Sequence, residues 1–252
     1  SLTSLNFNLA LISDQANPAR KWTALTATAA SISFQGSPDI SVTVRSFALT
    51  LNLKATDGTV LNLTSTNKLT SAPNLLIDGT RGQLIRVEGD LDLNLAGFVT
   101  LTGNLVFEKA SQANLATYNS TAGSSGTVNA DYLLVTGTGV NGFAGLNSTD
   151  AANRIGFSLT SLNFNLALIS DQANPARKWT ALTATAGTIS FQGSPDISVT
   201  VRSFALTLNL AATDGSVLNL STANKLTSAP NLLIDGTRGQ LIRVEGDLDL
   251  NL

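Results

Sequence analysis

Residues 84–109 read LIRVEGDLDLNLAGFVTLTGNLVFEK, and this stretch decides the fold class. In the first half of this stretch, every second position except Gly89 carries an apolar side chain: Ile85, Val87, Leu91, Leu93 and Leu95. The positions between them are polar: Arg86, Glu88, Asp90, Asp92 and Asn94. A period of two is the pattern of a β-strand with one buried and one solvent-facing face. Because Ala96-Gly97 then supplies turn chemistry, we expect a β-hairpin whose leucines point into a core.

Two further pairs of long strands follow from the same alternation. YLLVTGTGVNGFAG, residues 132–145, is expected to pair with IGFSLTSLNFNLALIS, residues 155–170. WTALTATAGTISFQG, residues 179–193, is expected to pair with ISVTVRSFALTLNL, residues 197–210, through a turn at Ser194-Pro195-Asp196. In several strands the apolar positions change parity halfway, which predicts a β-bulge or bend at the change.

A tandem repeat organises the chain. Residues 1–95 recur as residues 158–252 with seven differences, at an offset of 157 residues. Near identity over such a length indicates duplication within an array of modules. We therefore expect three parts, namely the C-terminal part of one module at 1–82, a complete module at 83–239 and the start of the next at 240–252. The complete module divides into sub-repeats 83–131, 132–178 and 179–239.

One of the differences between the two copies supports the bulge prediction. Ala30 of the first copy is replaced by Gly187 in the second, at the point where the apolar parity changes. Because glycine within a strand often marks a bulge, we expect one there.

These patterns predict an all-β fold of long-stranded antiparallel β-meander repeats. We expect an elongated, curled sheet that is solenoid-like, tube-like or fibre-forming, with tandem β-sandwich or barrel domains as the alternative. The composition agrees, because 43% of the residues are apolar and only 13% are charged, and the remaining polar residues are mainly the strand- and turn-forming Thr, Ser and Asn.

The composition also argues against several classes of function. The chain has no Cys, His or Met, so it lacks thiolate and imidazole ligands and the usual general base. Basic residues are scattered singly and the net charge is −2, which argues against a nucleic-acid partner. No apolar run is long enough for a membrane-spanning helix. We expect a protein that is not an enzyme and holds no organic cofactor.

Carboxylates recur on one strand face in both copies, and calcium is the one candidate ligand for them. The candidate metal residues are Glu88, Asp90 and Asp92 in the first copy and Glu245, Asp247 and Asp249 in the second. Oxygen ligands suit Ca²⁺. A charged strand face that simply discourages edge pairing is the favoured explanation of the same pattern.

Two other motifs have structural and functional interpretations. Gly137, Gly139 and Gly142 form GxGxxG, but no helical period follows, which favours a glycine-bent strand over a nucleotide loop. Trp22 and Trp179 lie beside basic residues and could bind a glycan or peptide, although core packing at a strand start is favoured.

The run VEGDLDLNLAGFVTLTGNLVFEK, together with LLVTGTGVNGFAG, resembles the repetitive β-rich arrays of very large bacterial secreted and cell-surface proteins, which are adhesin- or filament-like. The resemblance implies an extracellular or cell-surface stalk, fibre or filament. Its partners would be copies of itself or neighbouring modules, with a glycan or other surface ligand in an adhesin. A third alternative is a hydrophobic groove that carries lipid.

Overall fold

The computed structural model describes residues 1–37, 40–150, 152–193 and 197–251, and it places twelve antiparallel strands in one open sheet. The strands are β1 (Leu2–Thr3), β2 (Asn6–Ser13), β3 (Lys21–Ser37), β4 (Ile40–Leu53), β5 (Leu84–Leu95), β6 (Val99–Asn119), β7 (Ser124–Leu146), β8 (Ile155–Asp171), β9 (Lys178–Gln192), β10 (Ser198–Leu210), β11 (Ser216–Leu218) and β12 (Leu241–Asn251). Within those ranges there is no α-helix, and hence no helix that could cross a membrane.

The strand order follows the chain. From β3 to β10 each strand pairs with the next long strand, and β12 closes the row beside β10. At the other end β1 and β2 both pair with β3, while β11 pairs with the far end of β6. The predicted all-β, antiparallel class is confirmed, and it takes the form of one continuous sheet, not a row of separate sandwich or barrel domains.

The hairpin that decides the fold has a longer turn than predicted. Leu95 pairs with Val99, so three residues form the turn, and Ala96 and Gly97 both have positive φ, of 51° and 66°. A turn of two residues would have shifted the register by one, and a shift of one moves every side chain to the other face. The observed register brings Arg86 opposite Glu108. The turn predicted at Ser194-Pro195-Asp196 lies outside the described residues.

Bulges lie where the apolar parity changes. The register of β4 with β5 shifts between Arg45 and Ala48, and that of β10 with β12 shifts between Arg202 and Ala205. At both places a serine, Ser46 or Ser203, has a φ of 53°. Because each bulge inserts one residue, the apolar side chains stay on the same face after the parity change.

The bulge expected at Ala30 is not seen as a change of register. The pairing of β3 with β4 continues without a shift from Ala29 opposite Phe47 to Ser31 opposite Arg45. The two strands therefore change parity together, and the register between them is preserved.

Strands β6 and β7 extend further than their alternation indicated. The two strands continue to pair beyond the predicted hairpins, up to a turn between Asn119, where β6 ends, and Ser124, where β7 begins. The Asn119 side-chain oxygen accepts hydrogen bonds from the backbone N–H groups of Thr121 and Ala122, which stabilises this turn. A register shift between Gln112 and Leu115 interrupts the alternation, so this part of β6 could not be predicted from the sequence pattern.

Two long connectors cover one face of the sheet. The first connector, residues 54–83, follows β4, and the second connector, residues 211–240, follows β10. Under the first connector the core contains Ala10, Ala24, Leu63, Leu75 and Ile77. Under the second connector it is much larger: Leu84, Ala110, Leu115, Val128, Ala130, Tyr132, Leu134, Ala167, Ile169, Trp179, Ala181, Ala212, Leu218, Leu220, Leu226, Ala229, Leu232 and Ile234. Alanines on the strands leave space for the connector leucines to pack.

The opposite face of the sheet carries a continuous row of apolar residues. Directly paired positions across ten strands hold Phe7, Ala27, Leu49, Val87, Phe107, Val135, Leu166, Leu182, Leu208 and Ile242. We call this set the apolar row. Phe107 in it is 47% exposed. The predicted faces are therefore wrong at β5: the apolar positions lie on the uncovered face, and Arg86 lies on the connector face.

Candidate functional site

Each connector is anchored to the strand before it by a buried asparagine. The side chain of Asn209 donates to the backbone oxygen of Leu218 at 2.8 Å and accepts from the Leu218 N–H at 3.3 Å. Asn52 makes the same pair of hydrogen bonds to Leu61, at the same two distances. Both asparagines are fully buried. Because a buried amide must find partners for its polar atoms, these bonds fix where each connector turns back over the sheet.

The two connectors meet at Glu108, on the connector face of β6. Glu108 is 0% exposed, and its carboxylate accepts hydrogen bonds from Arg81 of the first connector and, at 2.8 Å, from Arg86 of β5. Tyr132 of β7 donates to it at 3.0 Å. Ser228 of the second connector contacts both Arg81 and the Tyr132 hydroxyl. We call these five residues the Glu108 junction.

The Glu108 junction keeps its carboxylate charged. Burial alone raises the pKa of Glu108, but hydrogen bonds from Ser228, Arg81 and Arg86 outweigh the burial and hold the pKa below its ordinary value. Burial also raises the pKa of Tyr132, which therefore keeps its proton and remains a donor. Every member of the junction has a hydrogen-bond partner. The junction therefore holds together the first connector, the second connector and strands β5 to β7.

A second set of bonds attaches the second connector to β6. The Gln112 side chain donates to the backbone oxygen of Lys225 and accepts from the backbone N–H of Thr227, at 3.0 and 2.9 Å. Asn119 donates to the backbone oxygen of Asp214, and β11 adds three paired residues. A groove of about 330 Å³ lies between the two connectors and is lined largely by polar groups, including Asp78 and Arg81.

The two predicted tryptophan sites differ. Trp179 is 1% exposed, and its indole N–H donates to the backbone oxygen of Ser216 at 3.0 Å. The guanidinium of Arg177 stacks over its ring at 5.2 Å from the centroid. The preference for core packing is confirmed for Trp179, which presents no face to a glycan. Trp22 is only half-buried, and its N–H donates to the Thr59 side chain at 3.2 Å.

The predicted calcium residues have protein partners of their own. Arg86 donates to Glu88 at 2.6 Å, Asn104 donates to Asp90 at 3.1 Å, and Arg45 approaches Asp92 at 3.5 Å. In the second copy Arg243 pairs with Glu245, and Arg202 lies 3.1 Å from Asp249; Asp247 is exposed on the same strand. Across the described part of the chain no three acidic side chains converge as a metal site would need. The calcium site stays a prediction.

The GxGxxG glycines lie within strand β7, as favoured from the sequence. Gly139 has a φ of 59° and sits in a bulge between Gly137 and Val140. The ring of Phe164 occupies the space where a Cβ on Gly137 would lie, at 2.2 Å. Gly137 therefore serves close packing between β7 and β8.

Sequence reasoning missed the Glu108 junction and Gln112. The signal for Glu108 was an acid directly after the apolar run LVF, but its partner, Arg86, depends on the three-residue turn of the hairpin. Ser228 and Arg81 lie in connectors without periodicity, so their meeting has no local signal.

Comparison of the chain with protein-family models, with curated proteins and with solved structures found no match in any of the three.

Proposed function

We propose that this chain is a structural repeat segment of an extracellular fibre, filament, tube or cell-surface stalk, in which modules pack on one another through the sheet and the connectors. The supporting observation is the difference between the connectors. Their sequences are nearly identical, but the second connector packs on β6, β7, β8 and β9, whereas the first packs on β2 and β3, the equivalents of β8 and β9. The second connector is thus completed by β6 and β7, which precede it within the same repeat, residues 83–239, so the core under a connector needs the whole repeat.

The Glu108 junction supports the same proposal. It joins Arg81 of the first connector to Ser228 of the second, through strands that lie between the two copies. Stability in repeat proteins is the sum of each repeat and its interface with its neighbours. A buried ion pair at that interface favours a fixed spacing of modules, because a slipped register would leave its charges unpaired.

The placement outside the cell rests on composition and resemblance. A chain without cysteine or methionine has no side chain that disulfide exchange or sulfoxide formation can alter. A fibre exposed to an oxidising medium benefits from that composition.

The test is to insert one further copy of residues 83–239 after Gly239 and to compare the two proteins. Because a module contributes six long strands, β5 to β10, the particle should lengthen by up to about 29 Å at about 4.8 Å per strand. Small-angle X-ray scattering and electron microscopy measure the length. Two flexibly joined lobes, with separate unfolding transitions, would contradict the proposal.

A lipid-carrying surface is the second candidate, and the apolar row favours it. Exposed side chains on that face and its flanks include Phe7, Leu9, Leu11, Leu133 and Leu168. A contiguous apolar surface on this scale is unusual unless it contacts a partner. Native mass spectrometry after purification without detergent should then detect bound lipid, and its absence would exclude this candidate.

A further inference from the structure

Strand β12 repeats strand β5 residue for residue, but the two have different neighbours. Leu241–Asn251 has the same sequence as residues 84–94. Strand β5 lies between β4 and β6, whereas β12 pairs with β10 alone among the described strands. The pairing on the shared side is also the same, down to the bulge after Arg202, which corresponds to the one after Arg45. The edge that β6 occupies on β5 is therefore open on β12.

The charged residues of β12 do not prevent pairing at its open edge, because the same residues on β5 are paired on both sides. Natural edge strands are commonly short, or carry proline or lysine. Strand β12 is eleven residues long and contains neither. Its apolar side chains are uncovered, with Ile242 at 66% and Leu248 at 67% exposure, while the matching Ile85 and Leu91 are half-buried. The strand has the form of a template for a further strand.

The occupied edge of β5 shows which strand fits. Strand β6 pairs with β5 without interruption from Val99 to Lys109. Two polar contacts fix that register, Arg86 to Glu108 at 2.8 Å and Asn104 to Asp90 at 3.1 Å. The matching groups on β12 and the second connector stand exposed: Arg243 for Arg86, Asp247 for Asp90 and Arg238 for Arg81.

We propose that the open edge of β12 binds the β6–β7 hairpin, residues 99–146, of a further repeat. The incoming β6 pairs antiparallel with β12, with Ile242 opposite its Lys109 and Arg243 opposite its Glu108. Arg238 then takes the place that Arg81 holds at the Glu108 junction. This inference rests on the proposed function and names the partner strand and register through which one module joins the next.

The test appends a second copy of residues 96–146 directly after Leu252 of the full chain. Hydrogen exchange of the β12 backbone amides is followed by mass spectrometry, with the unextended chain as reference. We expect exchange in Leu241–Asn251 to slow by about tenfold or more, because the new strand pairs with those amides. The control carries the same appended segment with residues 99–119 in scrambled order.

The register is tested by exchanging charges. Arg243→Glu in the extended chain should speed hydrogen exchange of the β12 amides by about tenfold, since it places a carboxylate against the appended Glu108. Glu108→Arg, made only in the appended copy, should restore the protection. A protection that is insensitive to both changes would contradict the proposed register.

The outcomes separate this inference from the proposed function. Unchanged exchange in β12, or equal protection by the scrambled segment, overturns the inference. If a further copy of residues 83–239 inserted after Gly239 still lengthens the particle in that case, the modules join elsewhere. Only the proposed pairing at the edge of β12 then fails. If the inserted module forms a separate lobe, the proposed function fails as well.

Discussion

The two connectors are nearly the same sequence in two environments. Leu61 and Leu69 of the first connector are half-buried, whereas the matching Leu218 and Leu226 of the second are fully buried. The strands below make the difference, because β6 and β7 lie beside the second connector and nothing equivalent lies beside the first in the described residues. Burial of a connector in this protein thus depends on strands β6 and β7 beside it, not on the connector's own sequence.

The same comparison extends to the sheet below the connectors. Trp22 and Trp179 begin equivalent strands, yet only Trp179 is enclosed. Since the two copies have nearly the same residues, substitutions made in parallel measure what β6 and β7 contribute to the second copy.

The largest difference is expected at the tryptophans. Trp179→Ala should lower the free energy of unfolding by about 4 kcal/mol, as loss of a buried aromatic side chain does. Trp22→Ala should cost less than about 2 kcal/mol, because a half-buried ring loses less contact. Urea unfolding followed by circular dichroism measures both variants. Equal losses would show that the second copy gains nothing from β6 and β7.

The Glu108 junction is expected to come next. Glu108→Gln should cost about 3 kcal/mol, because it leaves the guanidiniums of Arg81 and Arg86 without their shared carboxylate. The matched control is Glu88→Gln, which removes a partly exposed carboxylate from the same arginine and should cost less than about 1 kcal/mol. A small loss for Glu108→Gln would mean that the junction does not hold the connectors.

The connector leucines give a third, smaller contrast. Leu226→Ala should lower the free energy of unfolding by about 3 kcal/mol and Leu69→Ala by about 1 kcal/mol. Hydrogen exchange of the connector amides distinguishes local release of the connector from global unfolding. If Leu226→Ala leaves the second connector protected, the connector is held by its hydrogen bonds to β6 and not by packing.

The smallest effect is a dependence on pH. A carboxylate whose pKa is lowered in the folded state stabilises that state above its unfolded value, which is 4.5 for Glu108, and the stabilisation is lost as the pH falls further. Stability should therefore decrease below about pH 4.5. Asp57, whose pKa is lowered to about 2 by Thr59 and Arg20, and other surface aspartates act in the same direction. Thermal unfolding of Glu108→Gln between pH 5 and pH 3 should show a shallower decline than the parent.

Much of the fold could be predicted because alternating apolar and polar residues indicate strands. The three hairpins and their antiparallel order agree with the prediction, as do the bulges at Ser46 and Ser203. The far arm of β6 and β7 could not be predicted, since the irregularity near Asn114 breaks the period. The register at Ala96-Gly97 was missed because two-residue and three-residue turns accept the same residues there.

Less of the candidate site could be predicted. A calcium site was predicted at Glu88, Asp90 and Asp92 because these acids recur in both copies, yet each has an arginine or asparagine partner. Glu108 occurs once and was overlooked, although it is the carboxylate that joins the two connectors. Contacts between segments that are more than a hundred residues apart, such as Arg81 with Ser228, leave no trace in local periodicity.

Long antiparallel strands and a repeat at an offset of 157 residues could be predicted from the amino-acid sequence, because alternation and turn residues are local signals and the repeat is visible on direct comparison of the two copies. The face that the connectors cover depends on tertiary contacts. An alternating strand specifies which side chains share a face, but the surface that covers that face comes from elsewhere. Ile85, Val87 and Leu91 of β5 therefore lie on the uncovered face, and Arg86 of the same strand pairs with Glu108 on the connector face.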